Sequence, residues 1–425
     1  MTISPIGPLR GTVCLPGDKS ISHRYAILAA LAAGATRIKN YSTGADCAST
    51  LGALQALGVQ VDRQVSEVVI HGRGLSGLQA PRETIDAGNS GSTIRMLSGV
   101  LAAQPFLSRI AGDESLSRRP MERIIRPLRE MGAVIHARDG RFPPLEIEGR
   151  SLRPITYALP VASAQVKTCV LLAGLFAEGS TTVAEPVPTR DHTEIALKQF
   201  GAGVDVEDRR VTVRGPARLR AAELHVPGDL SSAAFFLVAA TLVPGSRLVL
   251  ERVGLNPTRA ALLDFLLGMG AKIRVLNLEQ IHGEPVGDLE VHYAPVRGGL
   301  IEKALTAALI DEIPVLAVLG AASQQGLEVR DAAELRVKET DRIASVAENL
   351  GRMGVAIETC DDGFFVPGGQ RFAPAALDSF GDHRIAMAFA VAALAASGEC
   401  PIHNAEAASV SYPEFFATLH SLSRH

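Results

Sequence analysis

Residues 17–38 read GDKSISHRYAILAALAAGATRI, and this stretch decides the fold class. A polar, Gly-containing opening runs into an Ala/Leu helix, then a Gly, then a β-branched strand. The phrase returns as GNSGSTIRMLSGVLAAQP from Gly88, PVASAQVKTCVLLAGLFAEGSTTV from Pro160 and GDLSSAAFFLVAATLVPGSRLVL from Gly228. It recurs again as DEIPVLAVLGAASQQGLEV from Asp311 and GDHRIAMAFAVAALAASGECPI from Gly381. Between the copies lies an amphipathic helix that ends in Gly and precedes a strand: LGALQALGVQV, IRPLREMGAVI, IALKQFGAGVDV, LLDFLLGMGAKI and VAENLGRMGVAI. Their central glycines, Gly58, Gly132, Gly201, Gly270 and Gly354, are expected as left-handed caps. Six units of about 70 residues, each strand–helix–strand–helix–strand, predict an α/β protein. A stacked solenoid without chemistry is the bland alternative, but solenoid periods usually run about 20–50 residues.

The first and fourth copies match best, with Leu-Pro-Gly-Asp at Leu15–Asp18 and Val-Pro-Gly-Asp at Val226–Asp229. Two domains of three repeats follow. One spans 16–227; the other combines 1–15, as a contributing N-terminal strand, with 228–425. Hinges are expected near 14–20 and 225–229. A chain of 425 residues exceeds the roughly 250–300 at which one core stops growing, so two domains also suit its length.

Composition excludes several function classes. Lys+Arg number 42 against 45 Asp+Glu, so the net charge of −3 argues against a nucleic-acid or membrane-surface binder. Aromatics are 4% and Trp is absent, so the cores must be built from Ala, Val, Leu and Ile. The cysteines (Cys14, Cys47, Cys169, Cys360, Cys400) are scattered without a C-x-x-C, which fits a reducing cytosol and no zinc site. The N-terminus has no apolar signal region, and the longest mostly apolar stretch, 233–243, is far short of the roughly 20 residues of a membrane helix. A soluble cytoplasmic protein is expected. No H-x-x-x-H, H-E-x-x-H or G-x-x-x-x-G-K-[ST] occurs, so neither a metal nor a P-loop is expected. The G-x-G-x-x-G at Gly72–Gly77 lacks a following long helix and reads as a turn.

The polar residues that demand explanation sit at the openings of the Ala-rich helices. They are Lys19, Ser20 and Arg24; Asn89, Gly91, Ser92 and Arg95; Ser163, Gln165 and Lys167; Asp311 and Glu312; and Asp382, His383 and Arg384. Taken singly, Ser20, Ser22, Asn89, Ser163 and Asp382 read as helix caps. Cations in a first turn oppose the helix dipole, so Lys19, Arg24, Arg95, Lys167 and Arg384 together imply a compensating anion. Arg119, held by Pro120 just outside a helix, and Arg190 in Thr189–Thr193 add cationic loops. The run Arg336–Arg342 (RVKETDR) is expected to open a helix, with Lys338 and Arg342 four apart on one face and Glu339 three before Arg342. Its bland reading is a solvated, salt-bridged face.

Together these motifs resemble the 5-enolpyruvylshikimate-3-phosphate synthases. The resemblance rests on Gly17–Arg24, Gly88–Arg95, Arg119-Pro120-Met121, Ser163–Lys167, Arg336–Arg342 and Gly381–Arg384, in order along nearly the whole chain. It implies two similar domains, each of three βαβαβ-type repeats packed around parallel helices (an inside-out α/β fold), with the active site in the interdomain cleft. It implies an enzyme, 3-phosphoshikimate 1-carboxyvinyltransferase, that needs no cofactor and acts as a monomer in the cytoplasm. That reaction moves the enolpyruvyl group of phosphoenolpyruvate onto the 5-hydroxyl of shikimate 3-phosphate, through a tetrahedral intermediate, on the path to chorismate and the aromatic amino acids. The family is the target of glyphosate.

By motif, Lys19, Ser20, Arg24, Ser163, Ala164, Gln165, Asp311 and Lys338 look like shikimate 3-phosphate contacts. Lys19, Gly91, Arg119, Gln165, Arg342 and Arg384 look like phosphoenolpyruvate contacts. Asp311 resembles the base, with Glu339 and Lys19 as candidates for protonating carbon and assisting phosphate departure. Asn89, Ser92, Lys167, Arg190 and His383 are further candidates. Some members carry a Lys near the C-terminus where Ala408–Pro413 offers none, and Lys167 is a candidate substitute. Ala164 stands where some members have Ser, so its contact would be through backbone. Two rivals share the repeat fold. UDP-N-acetylglucosamine enolpyruvyl transferases typically carry Lys-Asn near the start and a loop Cys, but Lys19 precedes Ser20 here and Ile110–Met121 has no Cys. An RNA-end-binding relative would want a basic, aromatic stripe.

Overall fold

The computed structural model describes residues 1–5 and 7–422; Ile6 and Ser423–His425, within the stretches 1–15 and 228–425 assigned to one domain above, lie outside the described residues. The chain divides into two compact units. One comprises Met1–Pro16, Pro227–Ile281 and Pro285–His425; the other comprises Gly17–Val226 with His282–Glu284.

In the Gly17–Val226 unit the three Ala-rich repeats form helices Lys19–Leu31, Gly91–Leu101 and Ala164–Gly174. Every residue from Ile21 to Leu31 and from Val166 to Gly174 is buried. A helix without a polar face has no stable place at a surface, so these helices lie inside. Small residues let them approach. A Cβ on Gly99 would lie 2.1 Å from the backbone oxygen of Cys169, so the second and third helices meet where only glycine fits.

Three four-stranded sheets complete this unit. Each has one alternately buried face, as in Thr36 and Ile38 beside Val68 and Ile70. Their strand orders are Glu223–His225, Ala33–Lys39, Glu67–Arg73, Gln60–Arg63; Ile85–Asp86, Leu107–Ala111, Phe142–Glu148, Val134–Arg138; and Thr156–Ala158, Gly179–Ala184, Arg210–Gly215, Val204–Glu207. In each, the first pair is parallel and the rest are antiparallel.

The other unit follows the same plan around Leu230–Leu242, Ile313–Ala322 and His383–Leu394. Two of its sheets have four strands; the third has three, with Thr2–Ile3 pairing antiparallel to Cys400–His403. Five of its aromatics gather in one cluster, Phe235, Phe236, Tyr412, Phe415 and Phe416, with neighbouring ring centroids 5.3–6.1 Å apart.

Two strands are exchanged relative to the repeat order. Arg10–Cys14 precedes the Lys19 helix yet pairs with Arg247–Gly254, with Val13 opposite Leu250. Glu223–His225 precedes the Leu230 helix yet pairs with Ala33–Lys39, with Leu224 opposite Ile38. The chain therefore passes between units at Pro16–Gly17 and Val226–Pro227. At the first passage a Cβ on Gly17 would sit 1.7 Å from the Asn40 carbonyl oxygen, which explains why residue 17 is glycine.

The repeat is richer than the strand–helix–strand–helix–strand expectation, because the last strand of five repeats doubles back as a hairpin. The sequence pattern predicts the first strand of each hairpin, such as Gln60–Arg63 and Val204–Glu207; the added strands are their partners, such as Glu67–Arg73 and Arg210–Gly215. These partners do alternate, with Val68 and Ile70 buried in one and Val211 and Val213 in the other, but they lie outside both recurring phrases. The five capping glycines do adopt positive φ: 81° at Gly58, 110° at Gly132, 80° at Gly201, 106° at Gly270 and 74° at Gly354.

The contrast between two helical glycines tests this packing. Gly99→Val should lower stability by about 1–3 kcal/mol or more, because the new side chain must displace helix backbone. Gly52→Ala, exposed in helix Ala45–Ala56 with nothing within 4 Å of the new Cβ, should raise it by about 0.5–1 kcal/mol. Urea unfolding of both variants reads the difference.

Candidate active site

In the Gly17–Val226 unit the three buried helices bring their N-terminal ends together. Gln165, at the start of the third, accepts from Arg95 Nη1 at 2.8 Å and donates to Ser92 Oγ at 2.9 Å, both at the start of the second. His23 of the first helix joins Thr50, Thr93 and Ser90 in a buried chain of hydrogen bonds of 2.6, 2.6 and 2.8 Å. Burial, then the charges of Lys19 and Arg24, pushes the His23 imidazole well below its usual pKa, so it is a neutral structural link.

Lys19 Nζ lies 3.1 Å from Asp46 Oδ2, in the first turn of helix Ala45–Ala56. Arg24 is buried. Its Nε donates to Thr193 Oγ1 at 2.7 Å, its Nη2 to Thr168 Oγ1 at 2.9 Å and its Nη1 to the Ser20 carbonyl at 2.8 Å. Burial lowers its pKa to about 10, so it stays charged at neutral pH. Arg190 Nη1 donates to Ser20 Oγ at 3.4 Å. Arg119 Nη2 donates to Asn89 Oδ1 at 2.8 Å and to Ser115 Oγ at 3.1 Å. A Cβ on Gly91 would come within 2.7 Å of Arg95 Nη1 and 3.5 Å of Arg119 Nη1, so Gly91 lies against both guanidinium groups.

The second cluster belongs to the other unit and centres on Arg342, whose side chain is 2% exposed. Its Nε donates to Asp382 Oδ2 at 2.8 Å, its Nη2 to Glu339 Oε2 at 2.7 Å and its Nη1 to Asp311 Oδ1 at 3.5 Å. Lys338 Nζ lies 3.7 Å from the same Asp311 oxygen. Burial alone would lower the Arg342 pKa, but Asp382, Glu339 and Asp311 outweigh it and hold the guanidinium charged. Arg384 Nη1 donates to Glu312 Oε1 at 3.4 Å, and Glu312 also accepts from Ser231. His383 is buried at the opening of helix His383–Leu394.

Several sequence expectations need correction. Arg336–Arg342 does not open a helix with Lys338 and Arg342 on one face. Ala333–Val337 is a 3-10 turn, and the following helix begins only at Arg342. Asp341 caps it by accepting from Ala344 N at 3.0 Å, which keeps Lys338 and Glu339 outside. Nor is the run a solvated face, since Arg342 is buried. The caps at the first two openings are Asp18 and Ser90; Ser22 instead accepts from Ser42 N, and Asn89 holds Arg119. Ser163 and Asp382 do cap. The first-turn cations do not all await an external anion, because Asp46, Glu185, Glu194 and Glu312 already meet Lys19, Lys167 and Arg384. Lys167, considered as a stand-in for the missing C-terminal Lys, has a side chain only 1% exposed and is held by two carboxylates.

Asp46, Glu185, Glu194, Thr168 and Thr193 were not singled out in the sequence. Ordinary acidic and hydroxyl residues carry no local signal of the cation they will meet. Among the described residues no group of three or more His, Cys, Asp or Glu is placed to hold a metal ion, and no helix is long and apolar enough to cross a membrane.

Asp382 does two jobs: it pairs with Arg342 and accepts from Arg384 N at 2.7 Å. Asp382→Ala should therefore cost about 3–5 kcal/mol in urea unfolding, as expected for breaking a buried ion pair from one side.

Comparison with known proteins adds to this geometry. A family model described as EPSP synthase (3-phosphoshikimate 1-carboxyvinyltransferase) matches residues 3–419. A protein of Solibacter usitatus named 3-phosphoshikimate 1-carboxyvinyltransferase is 63% identical, covering 99% of each chain. One of the same name from Bacillus subtilis is 47% identical over 98% of each. A solved EPSP synthase from Acinetobacter baumannii superposes with a TM-score of 0.88 at 41% identity, covering 99% of this chain and 98% of that one. An enolpyruvyl transferase from Streptomyces tendae, at 20% identity and a TM-score of 0.79, shares the fold, covering 99% of this chain and 96% of its own.

Proposed function

The chain belongs to the EPSP synthase family and transfers the enolpyruvyl group of phosphoenolpyruvate to the 5-hydroxyl of shikimate 3-phosphate with release of phosphate, and we propose that the clusters around Lys19 and Arg342 carry this reaction. What supports the assignment is the direct bonding among motif residues far apart in sequence: Gln165 to Arg95 and Ser92, and Arg342 to Asp311 and Asp382.

Both substrates are anions, and fixed cations stabilise the charge that develops on them. Ser20, Arg24, Arg190, Ser163, Gln165 and the backbone of Ala164 are assigned to shikimate 3-phosphate, together with Lys338 and Asp311. Gly91, Arg119, Arg342 and Arg384 are assigned to phosphoenolpyruvate, with Lys19 and Gln165 shared. Asn89 serves by orienting Arg119, and Ser92 by orienting Gln165.

The chemistry is addition followed by elimination. A base takes the 5-hydroxyl proton while an acid protonates the methylene carbon of phosphoenolpyruvate. The tetrahedral intermediate then loses phosphate and a methyl proton. Asp311 is assigned as the base. Glu339 and Lys19 are assigned to proton delivery and to the departing phosphate. Glu339 is held by Arg342 and Lys19 by Asp46, so both tips are fixed before substrate arrives.

Phosphate release from shikimate 3-phosphate plus phosphoenolpyruvate is the direct assay, with UDP-N-acetylglucosamine in place of shikimate 3-phosphate giving none. Asp311→Ala should bind shikimate 3-phosphate but lower kcat by about 10²–10⁴-fold; unchanged turnover would remove Asp311 from the role of base. Gly91→Ala should push the Arg95 tip aside and raise the KM for phosphoenolpyruvate above that of the parent enzyme. A parental KM would refute the Gly91 contact.

A further inference from the structure

A buried charge cluster beside the first group of helix starts is left unused by the proposed reaction. Lys167, one residue before Thr168, has its ammonium 2.6 Å from Glu194 Oε1 and 3.2 Å from Glu185 Oε2. All three side chains are at most 6% exposed. Taking three charges out of water is expensive, so the cluster is weak evidence for a purely stabilising role.

Two paths lead from this cluster to the cationic residues around Ser20. In the first, Glu194 follows Thr193 and Lys167 precedes Thr168. The Lys167–Glu194 bridge thus ties helix Ala164–Gly174 to helix His192–Gln199 beside the 2.6 Å contact between Thr168 Oγ1 and Thr193 Oγ1. Those two hydroxyls are the acceptors of Arg24 Nη2 and Nε. In the second, Glu185 accepts from Thr189 N at 3.2 Å and from the Thr189 hydroxyl. That closes the loop immediately before Arg190, which donates to Ser20 Oγ. The charges also fit. Arg24 and Arg190 disfavour each other's charge, and the negative charge of Glu194 favours the charged form of Arg24.

We propose that Lys167, through Glu185 and Glu194, is a positioning residue that holds Arg24 and Arg190 in register for the anionic shikimate 3-phosphate. The inference rests on the assignment of Arg24 and Arg190 to that substrate. Lys167 touches no substrate itself. Its removal leaves two buried carboxylates without their shared cation, so the Thr168–Thr193 pair and the Thr189 loop lose their anchor.

The test is steady-state kinetics of the full-length enzyme with each substrate varied at saturating levels of the other. Lys167→Met should raise the KM for shikimate 3-phosphate roughly ten- to a hundredfold, with the KM for phosphoenolpyruvate within about twofold of the parent. Thr189→Val, which cuts only the loop path and spares the buried charges, should raise the same KM by a smaller factor. It keeps the proposal testable where Lys167→Met does not fold. Arg190→Ala supplies the third arm. Combined with Thr189→Val it should give less than the product of the two single effects, because both act on one guanidinium. A parental KM for shikimate 3-phosphate in Thr189→Val and in folded Lys167→Met, or equal losses for both substrates, would overturn the positioning role. A parental KM in Arg190→Ala would instead overturn the assignment of Arg190 on which it rests.

Discussion

A helix buried on every side can offer chemistry only at its ends. That constraint shapes both units of this protein. Apolar residues surround the central helices, so their flanks pack and their first turns must carry the polar work. Each first turn has free N–H groups and the positive end of the dipole. Ala and Gly make the arrangement feasible, because thicker side chains would separate helices that touch at Gly99 and Cys169. The scarcity of aromatics is thus a packing requirement of three helices held together inside sheets.

Placing cations at positive helix ends creates a second problem, which is settled with carboxylates and hydroxyls drawn from other elements. Asp46 meets Lys19, Glu185 and Glu194 meet Lys167, Glu312 meets Arg384, and three carboxylates surround Arg342. Arg24 is held differently, by two threonine hydroxyls and a backbone carbonyl. Neutral acceptors fix a guanidinium without cancelling its charge, which suits a group that must attract an anionic substrate. The near-zero net charge of the chain therefore conceals strong local fields.

Much of the architecture was legible in the linear pattern. The period of the Ala-rich phrase marked six repeats, and the glycines closing the amphipathic helices marked left-handed caps because almost only glycine adopts that conformation cheaply. The hairpin partners such as Glu67–Arg73 were not marked, because they lie outside both recurring phrases even though Val68 and Ile70 alternate there. The site divided along the same line. Unusual residues stood out, namely Lys19, Arg24, Arg119, Lys338, Arg342 and Arg384, because cations at or near helix starts break a local rule. The carboxylates that meet Lys19 and Lys167 did not stand out, because Asp46, Glu185 and Glu194 break no local rule.

The sequence by itself determined the repeat, its glycine caps and the residue types at each helix opening, because these depend on backbone preference within a few residues. Tertiary structure alone decided which partner each charge would meet. Lys167 looked like one more ligand for an anion and is instead enclosed by Glu185 and Glu194. The bland reading of the Arg336–Arg342 run was a solvated helix face, yet Arg342 is buried among Asp311, Glu339 and Asp382. Coulomb interactions act through space across any separation in sequence, and burial sets their strength; neither quantity exists until the chain has folded.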